Sequence, residues 1–387
     1  MKILFTAYSP LGVGGAEVSM SLLAKGLKER GNEILIASTG DYAGFKTYKF
    51  KRFRKIPSFS LQKRYLSNFL INVIKKESID LIHAHDRLTI PSAIIAAKKI
   101  GIKCVIHFRD HWFMCPKSVS IMHDYKECKN CSFSGLMSCF PLYKVPWEYY
   151  KLRFSRSSYK LLNSADCKIS PSRSLKDKLE AVGIKDVKVI ANPVLSMKGK
   201  NIREKLGFKK DDIIVTYIGA LNRDKGILNI LKVMDDVLRK NVKFLVVGNG
   251  SLFNVVSNFA ESHKGVKLIG FRDYNEVANL YASSDIIVFP SLQESFGRIS
   301  VEVMSAGKPI IGSNVTGIKD VINNKVGYLV NPLDLDEWKK RIIYLVENKR
   351  KRLLFGRNGL IEAKKYNYKN IALETEHLYK SLKNGKT

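Results

Sequence analysis

Short apolar runs separated by longer mixed segments set the rhythm of this 387-residue chain. Residues 2–7 read as a first strand. After a glycine loop, a helical pattern runs to about Arg30, and Gly31 sits where a helix C-cap belongs. Strand candidates follow at Ile34–Ser38, Asp80–Ala84, Lys103–Phe108 and Asp166–Ser170. Each is apolar nearly throughout, as strands of a parallel sheet buried on both faces are. A second alternation begins at Ile213–Gly219 and continues at Phe244–Gly248, Val266–Gly270, Ile286–Phe289 and Pro309–Gly312. Strand, loop, helix, strand is the order of βαβ units, so the chain is predicted to be α/β. The length predicts two domains. Asn192-Pro193 and the Lys/Gly-rich stretch to about Lys200 read as the linker, giving an N-terminal domain over 1–195 and a second over 196–364. The tail from about Lys364 is helical and mixed in pattern.

Composition narrows the setting. No apolar run approaches the roughly 20 residues that span a bilayer. The N-terminus leads straight from a strand into a glycine loop and does not read as a signal peptide, so the expectation is a cytoplasmic protein. The net charge is +31, with the excess greater in the first half. Such a surplus implies an anionic partner surface, lipid headgroups or nucleic acid. Phe45–Lys55 interleaves rings with cations, and Tyr149–Lys160 is a second basic region with aromatics. Rings at headgroup depth beside Lys and Arg suit a membrane surface. The same composition could track RNA or single-stranded DNA, but no nucleic-acid module is recognisable.

The chemistry concentrates in Ser291-Leu-Gln-Glu294-Ser-Phe296-Gly297-Arg298-Ile-Ser-Val-Glu302. It joins an apolar strand to a helix expected from about Gly297 to Ala306. Backbone N–H groups at that helix start and the helix dipole favour an anion such as a phosphate. Gly297 lets a ligand approach the backbone. Glu302 could accept both ribose hydroxyls of a sugar nucleotide, and Glu294 a hydroxyl of the sugar. The plainer alternative is an Arg298–Glu302 surface pair and a solvated loop acid.

Pro290-Ser-x-x-Glu-Ser-Phe-Gly-x-x-x-x-Glu resembles the donor-site signature of the retaining glycosyltransferases of family four. The resemblance implies the GT-B fold: two Rossmann-like, doubly wound parallel-sheet domains with the active site in the cleft between them, and a last helix, 365–387, crossing back to the first domain. Tyr217–Gly226 is similar to the family's diphosphate-clamping loop, which implies roles for Lys225, Gly226 and, in place of an arginine where Ala220 stands, Arg223. Val247-Gly248-Asn-Gly250 resembles its Gly-x-Gly turn. Gly270-Phe271-Arg272 matches the segment holding the nucleobase through backbone contacts. Phe271 itself follows an apolar strand and reads as a core ring. Asp320 stands where the family often has Glu.

In the first domain, Gly14-Gly15-Ala-Glu17 resembles the loop beside the donor diphosphate. Aligning Trp112-Phe113 on the family's aromatic pair puts Arg109 where an active-site histidine is usual and leaves Asp110 as the first-domain catalytic candidate, beside Glu294 in the second. His83, His107 and His111 read as core or rim histidines, with His85 open between that and a site role. The resemblance further implies a metal-independent front-face substitution with a UDP- or GDP-linked sugar as donor, and the two basic-aromatic regions, both in the acceptor domain, make a lipid-linked or cell-envelope glycan at the inner face of the membrane the expected acceptor. A same-fold epimerase would need further acid/base groups, and a phosphorylase a pyridoxal lysine that is not evident. A basic nucleic-acid-binding protein is the alternative of another class.

Four of the six cysteines, Cys115, Cys128, Cys131 and Cys139, fall in one apparent insertion at about 115–139. Only Cys128-x-x-Cys131 has metal-hairpin spacing, which makes a structural zinc a candidate. Cys104 and Cys167 read as core thiols.

Overall fold

The computed structural model describes residues 1–10, 15–52, 59–118, 128 and 131–385. It divides into two compact units: Met1–Val194 with Tyr366–Thr387, and Leu195–Lys365.

The first unit runs β1 (Lys2–Thr6), α1 (Gly15–Glu29), β2 (Glu33–Ser38), β3 (Lys46–Lys49), α2 (Phe59–Glu77), β4 (Leu81–Ala84), α3 (Ile90–Ile100), β5 (Lys103–His107), α4 (Phe133–Cys139), α5 (Val145–Ser157), α6 (Tyr159–Asn163), β6 (Cys167–Ser170), α7 (Arg173–Ala181) and β7 (Val187–Val189). Its seven strands pair in the order β3-β2-β1-β4-β5-β6-β7, all parallel. The central strands are buried on both faces, which is why they read as unbroken apolar runs.

The edge strand β3 corrects one expectation. Lys46 Nζ donates to Glu77 Oε1 at 2.8 Å, and Tyr48 Oη donates to the same oxygen. Lys49 pairs with Asp41 at 2.7 Å. Phe50 is buried in the core, and Phe45 packs on the core of the opposite sheet face. Phe50 is thus withdrawn from the bilayer contact that the Phe45–Lys55 pattern suggested, while Phe45 and Tyr48 are half-buried. Residues 53–55 of that segment lie outside the described residues.

The second unit runs β8 (Ile213–Ile218), α8 (Ile227–Val237), β9 (Val242–Val247), α9 (Phe253–Ser262), β10 (Val266–Leu268), α10 (Tyr274–Ser283), β11 (Ile286–Phe289), α11 (Arg298–Ser305), β12 (Ile310–Ser313), α12 (Ile318–Val321), β13 (Gly327–Val330), α13 (Leu335–Glu347) and α14 (Lys349–Glu362). Its sheet order is β10-β9-β8-β11-β12-β13, again parallel throughout.

The last helix, α15 (Tyr368–Lys383), belongs to the first unit and lies along α1. A Cβ on Gly26 would come within 2.6 Å of the Ala372 methyl group, so only glycine permits this approach. Glu376 of α15 accepts from Arg30 Nη2 at 2.7 Å and from Asn32 Nδ2 at 3.0 Å.

In each sheet the strand order reverses once, between β1 and β4 and between β8 and β11. Open α/β sheets hold ligands outside the carboxyl ends of the strands at such a reversal.

Candidate active site

In the second unit the loops leaving β8 and β11 meet at that reversal. Leu292 N–H donates to the Asp224 carbonyl at 2.8 Å. Gly226 has φ +69°, and a Cβ there would lie 1.9 Å from the Pro290 carbonyl oxygen. Glycine therefore closes the two loops on each other. This contact sets Lys225 Nζ 2.7 Å from Glu294 Oε1, with Asp224 3.7 Å from the amine. Burial pulls the Lys225 amine down, but the charge and hydrogen bond of Glu294 outweigh it and leave its pKa raised. The cation is thus fixed, partly buried and held charged. Arg223 begins the same tight turn and is exposed.

Gly297 occupies the N-cap of α11 with φ +80°, a conformation that favours glycine, and no side chain caps the helix there. The preceding Phe296 is buried. One turn in, Arg298 Nε donates to Glu302 Oε1 at 2.6 Å, and Tyr281 Oη donates to Glu302 Oε2 at 3.1 Å. The Arg298 guanidinium lies over the Tyr274 ring, 4.8 Å from its centroid. The Arg298–Glu302 pair anticipated from the spacing therefore forms, but it is largely buried rather than a surface pair. Neither tyrosine partner was legible from local sequence. Gly248 directly follows β9, and its N–H donates to the Gly270 carbonyl at 2.8 Å.

Phe271 corrects a second expectation. It is 71% exposed. The strand before it ends at Leu268, and Gly270 with φ +67° turns the chain so that Phe271 leaves the core.

In the first unit a cavity of about 220 Å³ opens at the carboxyl ends of β1, β4 and β5, lined in part by Tyr8, Glu17, His85, Arg109 and Asp110. Gly15 starts α1 beside it, while Gly14 lies outside the described residues. Asp110 Oδ1 accepts from Trp112 N–H at 2.7 Å, and burial raises its carboxyl from 3.8 to about 6. Asp86 is a structural acid: it accepts from Tyr8 N–H at 2.7 Å, Leu88 N–H at 2.8 Å and Thr89 Oγ1 at 2.9 Å.

Arg109 is buried, donates to Asn192 Oδ1 and to His85 Nδ1 at 2.9 Å, and has an unpartnered Nε. Burial lowers it to about 9. His83, His85 and His107 converge beside it, with ring nitrogens within 4.8 Å of one another. His83 Nδ1 meets Tyr379 Oη of α15 at 2.5 Å. Burial first, with Arg109 and the neighbouring rings adding to it, drives all three histidines well below their ordinary range, so they are neutral. The distances would suit a metal, but no carboxylate joins the group and the adjacent guanidinium opposes a cation.

The cysteines also converge. Cys115, Cys128, Cys131 and Cys139 line one cavity, while Cys104 and Cys167 are buried in strands.

Two parallel α/β units, one carrying a lysine–glutamate pair at its switch point, make up an architecture of the GT-B kind. The chain belongs to the group 1 glycosyltransferases: the model for glycosyl transferases group 1 matches residues 199–361 and that for glycosyltransferase family 4 matches 13–194. An uncharacterized glycosyltransferase of Methanocaldococcus jannaschii is 27% identical over 98% of both chains. The UDP-Gal:alpha-D-GlcNAc-diphosphoundecaprenol alpha-1,3-galactosyltransferase of Escherichia coli is 24% identical over 72% of this chain and 70% of its own. The fold matches the crystal structure of Anabaena HepE in complex with UDP and glucose with a TM-score of 0.75 at 21% identity, over 98% of this chain and 100% of that one. Two parallel-sheet units and this likeness give the GT-B fold.

Proposed function

We propose that this glycosyltransferase moves a sugar, with retention of configuration, from a nucleotide diphosphate sugar to a lipid-linked or cell-envelope glycan at the cytoplasmic face of a membrane. The observation that carries the reading is the Lys225–Glu294 pair at the switch point of the second sheet. Lys225, with Arg223 at the same turn, neutralises the diphosphate. Glu294 orients a hydroxyl of the sugar, and Glu302 the ribose. The bond from C1 to the diphosphate oxygen breaks as C1 bonds to the acceptor oxygen on the same face. The acceptor proton passes to the departing diphosphate, whose growing negative charge the two cations stabilise. Asp110, in the first unit's cavity, accepts a hydrogen bond from the acceptor. The Escherichia coli relative, named for a UDP-linked galactose and a diphosphoundecaprenol-linked acceptor, supports the donor and acceptor classes.

The membrane part rests on a surface of the first unit. Phe59, Trp147 and Tyr150 stack with ring centroids 5.5–6.0 Å apart. Leu142 and Tyr143 beside them are 70% and 77% exposed. Apolar rings among lysines and arginines fit a headgroup layer. Among the described residues no helix is long and apolar enough to cross a membrane.

The test is thermal stabilisation by a panel of UDP-, GDP-, ADP- and dTDP-sugars. A rise in Tm with one nucleotide family is expected. A folded sample indifferent to all of them overturns the reading.

A further inference from the structure

The four cysteines of the 115–139 segment come from three separate stretches of backbone. Cys115 closes a turn in which its N–H donates to the His111 carbonyl at 3.0 Å, and it packs against the main core of the first unit. Cys128 and Cys131 precede α4, and Cys139 is the last residue of that helix. All four line one cavity of about 330 Å³. Local spacing explains only the Cys128–Cys131 proximity. Bringing Cys115 and Cys139 to the same cavity takes the tertiary fold.

Among the described residues, the segment's own apolar cluster consists of Leu136, Val145 and Leu152, with Cys131, Phe140 and Tyr149 partly buried around them. Small subdomains with few buried side chains are commonly stabilised by a metal or by disulfides. Ser132 caps α4 by accepting from Gly135 N–H at 3.0 Å, and Arg156 Nη2 donates to the Cys131 carbonyl at 2.5 Å.

We propose that Cys115, Cys128, Cys131 and Cys139 bind one zinc ion as a tetrathiolate site that staples α4 and α5 to the core of the first unit. Four sulfur ligands match the tetrahedral preference of zinc, and each thiol gives up its proton on binding. Binding draws the sulfurs together, so metal and local folding are coupled. The exposed Trp147 and Tyr150 stand on α5, and the staple fixes their position.

The test uses the full-length chain, purified with reductant and dialysed against metal-free buffer. About one zinc per chain is expected by elemental mass spectrometry. A thiol-specific mercurial should release it as four thiols titrate. In Cys128→Ser/Cys131→Ser the bound zinc should fall by roughly tenfold or more. If that variant does not fold, the wild-type stoichiometry and mercurial release decide the matter alone. A folded wild-type chain that neither contains zinc nor takes it up overturns the proposal. So do disulfides among the four, iron with acid-labile sulfide in place of zinc, or full zinc retention by the folded double variant.

Discussion

Lys225 Nζ and Glu294 Oε1 are 2.7 Å apart although 69 residues separate them in sequence. In the ligand-free protein the glutamate is therefore the counter-ion of the lysine. Under the proposed function a diphosphate takes over that role when a donor binds, and it leaves Glu294 free to turn to the sugar.

Replacing Glu294 by Gln separates these duties. Transfer should fall by roughly 10²–10³ in kcat. Binding of the free nucleoside diphosphate should hold or tighten, because Lys225 has lost its internal anion. Steady-state rates and calorimetric titration measure the two. Unchanged transfer would remove Glu294 from the mechanism.

Glu302 has a structural duty as well as its proposed one. It and Arg298 are mostly buried. Glu302→Ala leaves the guanidinium without its anion, and the expected loss is about 3–5 kcal/mol of unfolding free energy. Denaturant melts check this. A loss under about 1 kcal/mol would mean that water already reaches the pair.

Asp110 sets a pH dependence. Burial raises its carboxyl from 3.8 to about 6. Between those values the native state keeps a proton that the unfolded chain has released, so this contribution to stability is full below 3.8 and is lost as pH rises through about 6. Asp110→Asn should abolish that slope. If ionised Asp110 serves the acceptor, transfer by the wild type also rises through about pH 6, and the Asn variant lacks this limb. Parallel slopes for both proteins would show that another group titrates.

The membrane surface can be tested by contrast. Changing Tyr143, Trp147 and Tyr150 to Glu should abolish co-sedimentation with anionic vesicles. Lys46 and Lys49 are already paired with Glu77 and Asp41, so Lys46→Gln/Lys49→Gln should matter little. The opposite ranking would place the contact at the sheet edge.

Much of the fold was legible because buried parallel strands are apolar along their length, as at Ile286–Phe289 and Val242–Val247. Among the described residues three strands escaped notice, all at sheet edges, and one of them is β13, Gly-Tyr-Leu-Val. β3 is Lys-Thr-Tyr-Lys on a sheet edge, and β7 is Val-Lys-Val with only its first residue buried. The site divides in the same way. The loop carrying Glu294 and Gly297 announces itself locally, since a strand, a polar loop and a glycine-started helix are contiguous. What each side chain meets is not contiguous. Tyr281 reaches Glu302 from the preceding helix, and Tyr379 reaches His83 across 296 residues. Such pairings depend on the completed chain path. Phe271 failed for a local reason, since one left-handed glycine reversed the inference from its apolar strand.

The placement of α15 has a consequence for biosynthesis. Residues 195–365 are complete as a unit before Tyr368 leaves the ribosome, yet Arg30, Asn32 and His83 find their partners only on the helix that follows. Loss of α15 would therefore strip Arg30, Asn32 and His83 of these partners, damaging the first unit rather than the residues next to it in sequence.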